Sequence, residues 1–293
     1  MLYIVNFYAG KSRARRSLGA VTEYFTRNGW DVTVHPTLAP LDAKKTVLKS
    51  GHSYDMIVCS GGDGTLNEVI SGILELPERP MLGYIPSGSA NDTANSLGLP
   101  LEPLKAAEIV LNGRSFTLDV GRFNDRIFVY VAAFGAFSEV SYSTPQNLKN
   151  NLGNVAYVLE ALRRLPKIHS FHMKIDTDEG VFEDDFIFGA VTNTLSVGGG
   201  ILKLDPGRVA LNDGLLEVLF IRGFGNLNEL SRTIASINNR DFSDEHIIFV
   251  KSKSVVCSAP EPVPWTLDGE DGGSHTSVNI RCLHNPVTIM AGK

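Results

Sequence analysis

Cysteine is scarce in this chain: Cys59, Cys257 and Cys282 are the only three among 293 residues. Their number is odd, their spacing wide and without a metal-ligand pattern, which fits buried thiols in a reducing compartment. Basic excess is missing as well. The 27 Lys and Arg fall short of the 32 Asp and Glu, giving a net charge of −5 and a pI near 5.8. That balance argues against a general nucleic-acid binder. Long apolar runs are absent: the longest, Ile127 to Phe137, is well short of a membrane span and includes Gly135, so no transmembrane segment is expected. Met1 to Asn6 lacks the basic region and the apolar length of a signal peptide and reads as a first strand. Repeats and low-complexity segments are also missing. What the chain does have is 43% hydrophobic and 20% charged residues, enough for substantial cores in one large or two ordinary domains. A cytoplasmic protein is expected.

The stretch that organises the rest is Tyr54 to Leu76. Met56-Ile57-Val58-Cys59 is apolar, uncharged and stops at glycines, the pattern of a strand buried on both faces. Leu66, Val69, Ile70, Ile73 and Leu74 then fall at helical spacing, so a helix is predicted to begin near Thr65. Between them lie Gly61, Gly62, Asp63 and Gly64. Glycines there allow positive φ and a close approach of ligand to backbone, while the new helix aims unpaired N–H groups at the same spot. This is a phosphate-binding design; a tight turn is the plainer alternative. An acid among phosphate-directed amides makes sense if a divalent cation lies between Asp63 and the phosphates.

Taken in order, Leu2 to Val5 reads as a strand and Leu18, Val21, Tyr24 and Phe25 as the stripe of a helix ending near Asn28-Gly29. Asp31 to His35 follows as a strand, Leu41 to Lys49 as a helix, then the central strand and helix, then strand Met81 to Ile85. Repeated βα units predict a parallel sheet with helices on its faces. Asn6 to Ser12 follows the first strand, and Pro86 to Asp92 follows strand Met81 to Ile85. Both loops therefore lie at carboxyl ends of parallel strands, where open α/β sheets bind ligands. Asn91 and Asp92 suit a helix cap equally well. Lys11, Arg13, Arg15 and Arg16 form a basic cluster that fits phosphate, anionic lipid or a solvated helix face.

Beyond about Val120 strands predominate: Arg126 to Phe134, Phe171 to Asp176, Val181 to Thr192, Leu215 to Ile221, Ile247 to Val250, Ser254 to Ser258 and Ser277 to Leu283. Only Asn151 to Leu165 and Leu227 to Asn238 look helical. The fold class is thus an α/β N-terminal domain with a parallel sheet and glycine-rich nucleotide loops, followed by a mainly antiparallel β C-terminal domain. The boundaries are 1–120, completed by 285–293, and 121–284. Proline-rich Ala259 to Pro264 reads as a rigid connector, and Val287 to Met290 as a last strand whose place the pattern leaves open. Trp265 to Gly273 combines Asp268, Glu270 and Asp271 with three glycines. An acidic hairpin with a type I′ turn at Asp268-Gly269 or Asp271-Gly272 accounts for it. Leu211-Asn212-Asp213-Gly214 is a turn or a cation site, and His169 and His172 read as structural.

Gly61-Gly62-Asp63-Gly64-Thr65-Leu66-Asn67-Glu68-Val69 resembles the nucleotide signature of the diacylglycerol-kinase catalytic family, which includes bacterial soluble lipid kinases and sphingosine kinases. Asn6 to Gly10 resembles its first loop, with Phe7 where proline is usual. Ser87 to Asp92 resembles its second, and Leu267-Asp268-Gly269-Glu270 its catalytic acid motif. The order and spacing agree over essentially the whole chain. The resemblance implies ATP- and Mg2+-dependent phosphoryl transfer to a lipid hydroxyl in a cleft between two domains, with diacylglycerol the foremost acceptor. It implies Glu270 as general base and Asp63 as the link to magnesium. It places Asn6, Gly10, Thr37, Gly61, Gly62, Asp63, Gly64, Thr65, Leu66, Asn67, Glu68, Gly88, Ser89, Asn91 and Asp92 around the nucleotide. A second, structural magnesium is implied at Asp213 with the carbonyls of Ala210 and Leu215. A lipid substrate implies peripheral contact with the inner face of the membrane, with Arg13 to Arg16 and Arg163-Arg164 as candidate contacts. Many relatives pair, so a homodimer is one of the states open to it.

Two other readings stand beside this one. An NAD kinase shares the shorter GGDGT motif, but its Asn-Glu pair lies well downstream, whereas Asn67-Glu68 adjoins the glycines here. A nucleotide-binding regulator without catalysis would have no need of both Asp63 and Glu270.

Overall fold

The computed structural model describes residues 1–135, 169–197, 202–204 and 207–292. The chain divides into two compact units, Met1–Val120 with His284–Lys293, and Gly121–Leu283. The first contains β1 (Leu2–Val5), α1 (Arg13–Arg27), β2 (Thr33–Pro36), α2 (Asp42–Ser50), β3 (Met56–Gly61), α3 (Asp63–Leu74), β4 (Met81–Pro86), α4 (Asp92–Ser96) and α5 (Pro103–Asn112). β1 pairs in parallel with β2 on one side and β3 on the other, and β3 pairs in parallel with β4. Ile289 comes back beside Leu82, also in parallel, which settles where the Val287 to Met290 segment goes.

β1, β3 and β4 are buried on both faces because helices cover both, while β2, at the edge, is only partly covered. Tyr3, Val5, Val58 and Ile85 pack with Val21 and Phe25 of α1 and Ala107 and Val110 of α5. Phe25 meets Tyr3 edge-on at 5.9 Å, and trimming such a ring to alanine typically costs about 3–5 kcal/mol. On the other face α2 and α3 approach closely at Gly72, where a Cβ would lie 2.7 Å from Val47. The helix after the central strand starts at Asp63, two residues before the predicted Thr65. Gly62 is its extended N-cap, so Asp63 and Gly64 are already in the first turn. The chain goes from β1 outward to β2 and returns to β3 on β1's other side. The carboxyl ends of β1 and β3 are therefore the switch point of the sheet, where connections diverge and leave a crevice.

β5 (Arg114–Phe123) leads into the second unit. There follow β6 (Arg126–Phe128), β7 (Val131–Gly135), β8 (Phe171–Thr177), β9 (Gly180–Thr192), β10 (Ser196–Val197), β11 (Leu202–Lys203), β12 (Leu216–Arg222), α6 (Leu227–Asn238), β13 (Ile247–Ser252), β14 (Ser254–Leu267) and β15 (Glu270–Ala291). The pairings here are antiparallel, in the order β13-β12-β9-β7-β14-β15. β8 joins the first half of β9 to the first half of β14, so β9, β8, β14 and β7 form a closed ring of pairing. Inside lie Phe134, Phe186, Phe220 and Trp265 with aliphatic neighbours; the Phe134 and Trp265 rings are 4.9 Å apart. α6 forms where predicted because Asn226 caps it, its side chain accepting from the Asn228 and Glu229 N–H groups.

Three expectations need correction. Arg126 to Phe134 is two strands, interrupted at Val129-Tyr130, where the backbone N–H groups turn to the carboxylate of Asp268. Ala259 to Pro264 is part of β14 and not a connector. Pairing to β15 skips from Ser258 to Val263, and prolines at alternate positions remove donors along one strand edge only. Ser254 to Ser258 is accordingly the start of a strand reaching Leu267. The Asn151 to Leu165 helix and Arg163-Arg164 lie outside the described residues. No described helix is long and apolar enough to cross a membrane.

Candidate active site

Three loops at the carboxyl ends of β1, β3 and β4 come together in the first unit, and their glycines explain how. Gly10 has φ +48°, and a Cβ there would lie 1.8 Å from the Ser87 carbonyl oxygen. A Cβ on Gly88 would lie 2.6 Å from the Gly62 Cα, and one on Gly61 2.5 Å from the Thr65 Cβ. The sequence suggested that bare backbone serves a ligand; the structure uses it first to let loop meet loop.

Polar side chains complete the assembly. The Asn6 amide donates to Thr65 Oγ1 (2.9 Å), and its carbonyl accepts from the Tyr8 N–H (3.0 Å). Asn91, held in the left-handed region at φ 54°, accepts from the Gly88 N–H (2.8 Å) and donates to the Gly88 carbonyl (2.9 Å). Ser60 and Ser87, both wholly buried, pair hydroxyl to hydroxyl at 3.2 Å. This last contact was invisible in the motifs, since neither serine carries a periodicity or a spacing signal.

The acids divide into two kinds. The buried Asp63 carboxylate accepts from the Asp92 and Thr93 N–H groups at 3.3 and 3.2 Å, binding the second loop to the third. Burial pushes its pKa up, and those N–H groups oppose the rise only in part. No ion pair neutralises Asp63 among the described residues, so its ionised form is one that a cation would stabilise. Glu68 instead accepts from the Leu41 N–H (2.8 Å) and the Ala43 N–H (3.1 Å), which makes it the cap of α2. The Leu66 side chain is wholly buried, and its N–H already donates to the Gly62 carbonyl. Asn67 accepts from Ser71, Thr37 is buried beside the loop cluster, and Ser89 is exposed. The Asp63, Gly64 and Thr65 N–H groups open α3 without an acceptor among the described residues, leaving the positive end of its dipole uncapped.

In the second unit Asp268 and Gly269 have φ of 51° and 82°, the two positive values of a type I′ turn, and they join β14 to β15 as a two-residue hairpin. The side chain of Asp268 holds it there: its carboxylate accepts from the Val129 (2.7 Å), Tyr130 (3.0 Å) and Val131 (3.0 Å) N–H groups. These partners lie 137 to 139 residues away in the chain, beyond the reach of sequence reasoning. Two residues on, Glu270 is exposed and its side chain makes no hydrogen bond or ion pair among the described residues. One carboxylate fixes the turn and the other projects from it.

Ala210, Asp213 and Leu215 do not form an open cation site. Asp213 accepts from the Leu215 N–H (3.0 Å), and its other oxygen is 2.8 Å from the Lys251 ammonium. The carboxylate thus already has its cation, and the set as it stands does not fit a metal. Lys251 also lies 3.4 Å from Glu217. Glu217 is wholly buried, and burial raises its pKa to about 7 against the pull of Lys251. His172 pairs with Asp185 and Glu183, a structural role as expected.

Comparison with known proteins accounts for both units. Residues 1–123 match the diacylglycerol kinase catalytic domain, and residues 131–291 match the YegS C-terminal NAD kinase beta sandwich-like domain. A diacylglycerol kinase of Bacillus subtilis (strain 168) is 35% identical over 92% of this chain and 89% of its own length. One from Staphylococcus aureus (strain bovine RF122 / ET3-1) is 33% identical over 98% and 91%. A solved structure from Bacillus anthracis str. Sterne, carrying a provisional diacylglycerol kinase assignment, superposes with a TM-score of 0.84 at 28% identity, over 99% of this chain and 94% of that one. With glycine loops gathered at the switch point of a parallel sheet, an acid-bearing hairpin and relatives matched along almost their full length, the chain belongs to the diacylglycerol kinase catalytic family of ATP-using lipid kinases.

Proposed function

We propose that this chain transfers the γ-phosphate of ATP to a lipid hydroxyl, with diacylglycerol as acceptor and phosphatidic acid as product, a step of phospholipid metabolism. The observation that carries the reading is the convergence of the three loops on the uncapped start of α3. Backbone N–H groups there suit the phosphates, and the loops are locked by Asn6, Asn91 and Asp63 before any ligand arrives. Residues 1–120 with the returning C-terminal strand serve the nucleotide, and residues 121–283 serve the lipid.

In this reading the contributions of the predicted positions differ. Asp63, Gly64, Thr65 and Ser89 offer groups that face outward or lack partners. Gly10, Gly61, Gly62, Gly88, Asn91 and Asp92 shape the loops, and Thr37 lines their side. Leu66, Asn67 and Glu68 anchor α3 and α2. Magnesium, when bound to the triphosphate, supplies the charge neutralisation such transfers require, and the buried, unneutralised Asp63 is the residue to hold it. Glu270 takes the proton of the acceptor hydroxyl as that oxygen forms its bond to the γ-phosphorus and the bond to the bridging oxygen of ADP breaks. In this reading the enzyme works from the cytoplasm and visits the inner membrane face to reach its lipid.

Transfer of labelled γ-phosphate to a panel of lipids in mixed micelles tests the reading, with wild type compared with Glu270→Gln. The expected result is labelled phosphatidic acid that disappears in the variant. Labelling of NAD and of no lipid overturns it.

A further inference from the structure

Exposed leucines cluster on one edge of the first unit, and the kinase reading does not use them. Leu38 is 81% exposed and Leu41 55%, in the loop Leu38-Ala39-Pro40-Leu41 that follows β2. Leu41 sits at φ 65°, a left-handed conformation that ordinarily selects glycine or asparagine. From there Leu41, Lys45, Leu48 and Lys49 follow at helical spacing along α2, all four exposed. β2 is parallel to β1, so this loop lies at the same sheet edge as the loop carrying Tyr8, which is 82% exposed, and the exposed Arg15 and Arg16 that open α1.

Two properties separate this patch from leucines left in water by chance. The first is its backbone. The Thr37 N–H donates to the Val5 carbonyl, Leu38 to the Asp42 carboxylate, Leu41 and Ala43 to Glu68, and Asp42 to the Ala39 carbonyl. Pro40 has no N–H to satisfy. Apart from Ala39, every N–H from Thr37 to Ala43 is paired within the protein, which is what a segment entering a low-dielectric layer needs. The second is charge. Asp42 and Glu68 are engaged by those N–H groups and Lys44 by Glu75, whereas Lys45 and Lys49 form no ion pair among the described residues.

We infer that Leu38, Leu41 and Leu48, flanked by Lys45 and Lys49, dock this edge of the first unit into the interfacial layer of an anionic bilayer. The leucines enter the boundary between headgroups and acyl chains, the lysines meet anionic headgroups, and the rigid loop loses little freedom on entry. Tyr8 suits the same depth. The inference rests on the lipid-kinase reading, which brings the protein to a membrane.

Vesicle co-sedimentation without ATP, on phosphatidylcholine with and without phosphatidylglycerol, tests it. The double variant Leu38→Ser with Leu41→Asn should lower partitioning about tenfold or more on both vesicle types; asparagine keeps the left-handed position comfortable. Lys45→Gln with Lys49→Gln should lower it about tenfold or more on the anionic vesicles alone, an effect that salt removes. ATP affinity and transfer to a short-chain, water-soluble diacylglycerol should be unchanged in both. Unchanged partitioning in both variants, or a wild type that binds no vesicles, overturns the inference. So does a wild-type oligomer, seen without vesicles, that the leucine variant dissociates, since that assigns the face to a second copy. Wild type that binds vesicles as described but phosphorylates no lipid would leave the docking standing and remove the kinase reading. Lipid phosphorylation with unaltered variant binding would do the reverse.

Discussion

The loop cluster of the first unit and the hairpin of the second both present carboxylates, but they treat them differently. In the cluster Asp63 and Glu68 are engaged by backbone N–H groups of neighbouring elements. In the hairpin the two roles are separated by one residue: Asp268 is engaged by three N–H groups, and Glu270 by none among the described residues. A carboxylate held by several N–H groups positions chain, while an exposed and unbonded one is available to accept a proton. An acid in a recognisable motif is therefore not for that reason a reactive one.

The largest effect is expected at the unbonded acid. Glu270→Gln should lower kcat for lipid phosphorylation about 10²- to 10⁴-fold, the usual worth of a general base, and leave the thermal midpoint unchanged because no bond of the fold is removed. A midpoint that falls with activity would abolish the contrast with Asp268. Next is Gly10→Ala, which forces a Cβ to within 1.8 Å of the Ser87 oxygen at a left-handed position. The loops must separate, and ATP affinity measured calorimetrically should drop about 100-fold. Asp268→Ala leaves three backbone donors without their acceptor and should destabilise the protein by about 3 kcal/mol in urea unfolding, more than any single hydrogen bond normally contributes.

Glu217 extends the comparison to an acid that is buried yet poorly bonded. Its pKa rises from an ordinary 4.5 to about 7 in the folded protein, so the native state holds more protons than the unfolded state between those values. The associated stability is fully present below about pH 4.5 and is lost as pH rises to about 7. Glu217→Gln should therefore gain stability relative to wild type at pH 8, by up to about 3 kcal/mol, and show little gain at pH 4.5. The smallest effect concerns thiols. Burial raises the pKa of Cys59 and brings that of Cys257 to about 12, whereas Cys282 is only partly buried. Mild alkylation of the native protein should modify Cys282 alone, as peptide mass mapping would reveal.

The sequence made the parallel unit legible because its information is local. Met56 to Cys59, the glycines after it and the α3 stripe lie in one run. The long strands β14 and β15 were read as fragments: β14 contains alternating prolines, and β15 passes through Gly273 at φ 84° and Asn285 at φ 50°, which interrupt any period-two pattern. The glycine motif announced where the loops would be, but not that Gly10 would face Ser87 or Gly62 face Gly88. Those approaches depend on how separate strands line up in the sheet. The Lys251 partner of Asp213 was hidden for the same reason, since β12 and β13 must pair before the two meet.

The proline-rich segment of β14 has a further consequence, for behaviour at high concentration. Pro260 and Pro262 are exposed in a stretch where the ladder to β15 lapses. An unpaired strand segment of that kind is ordinarily a template on which a foreign strand can add. With a proline at every second position, one of its edges offers no donor to an incoming chain, so this open place in an extensive β structure resists end-to-end association into fibrils.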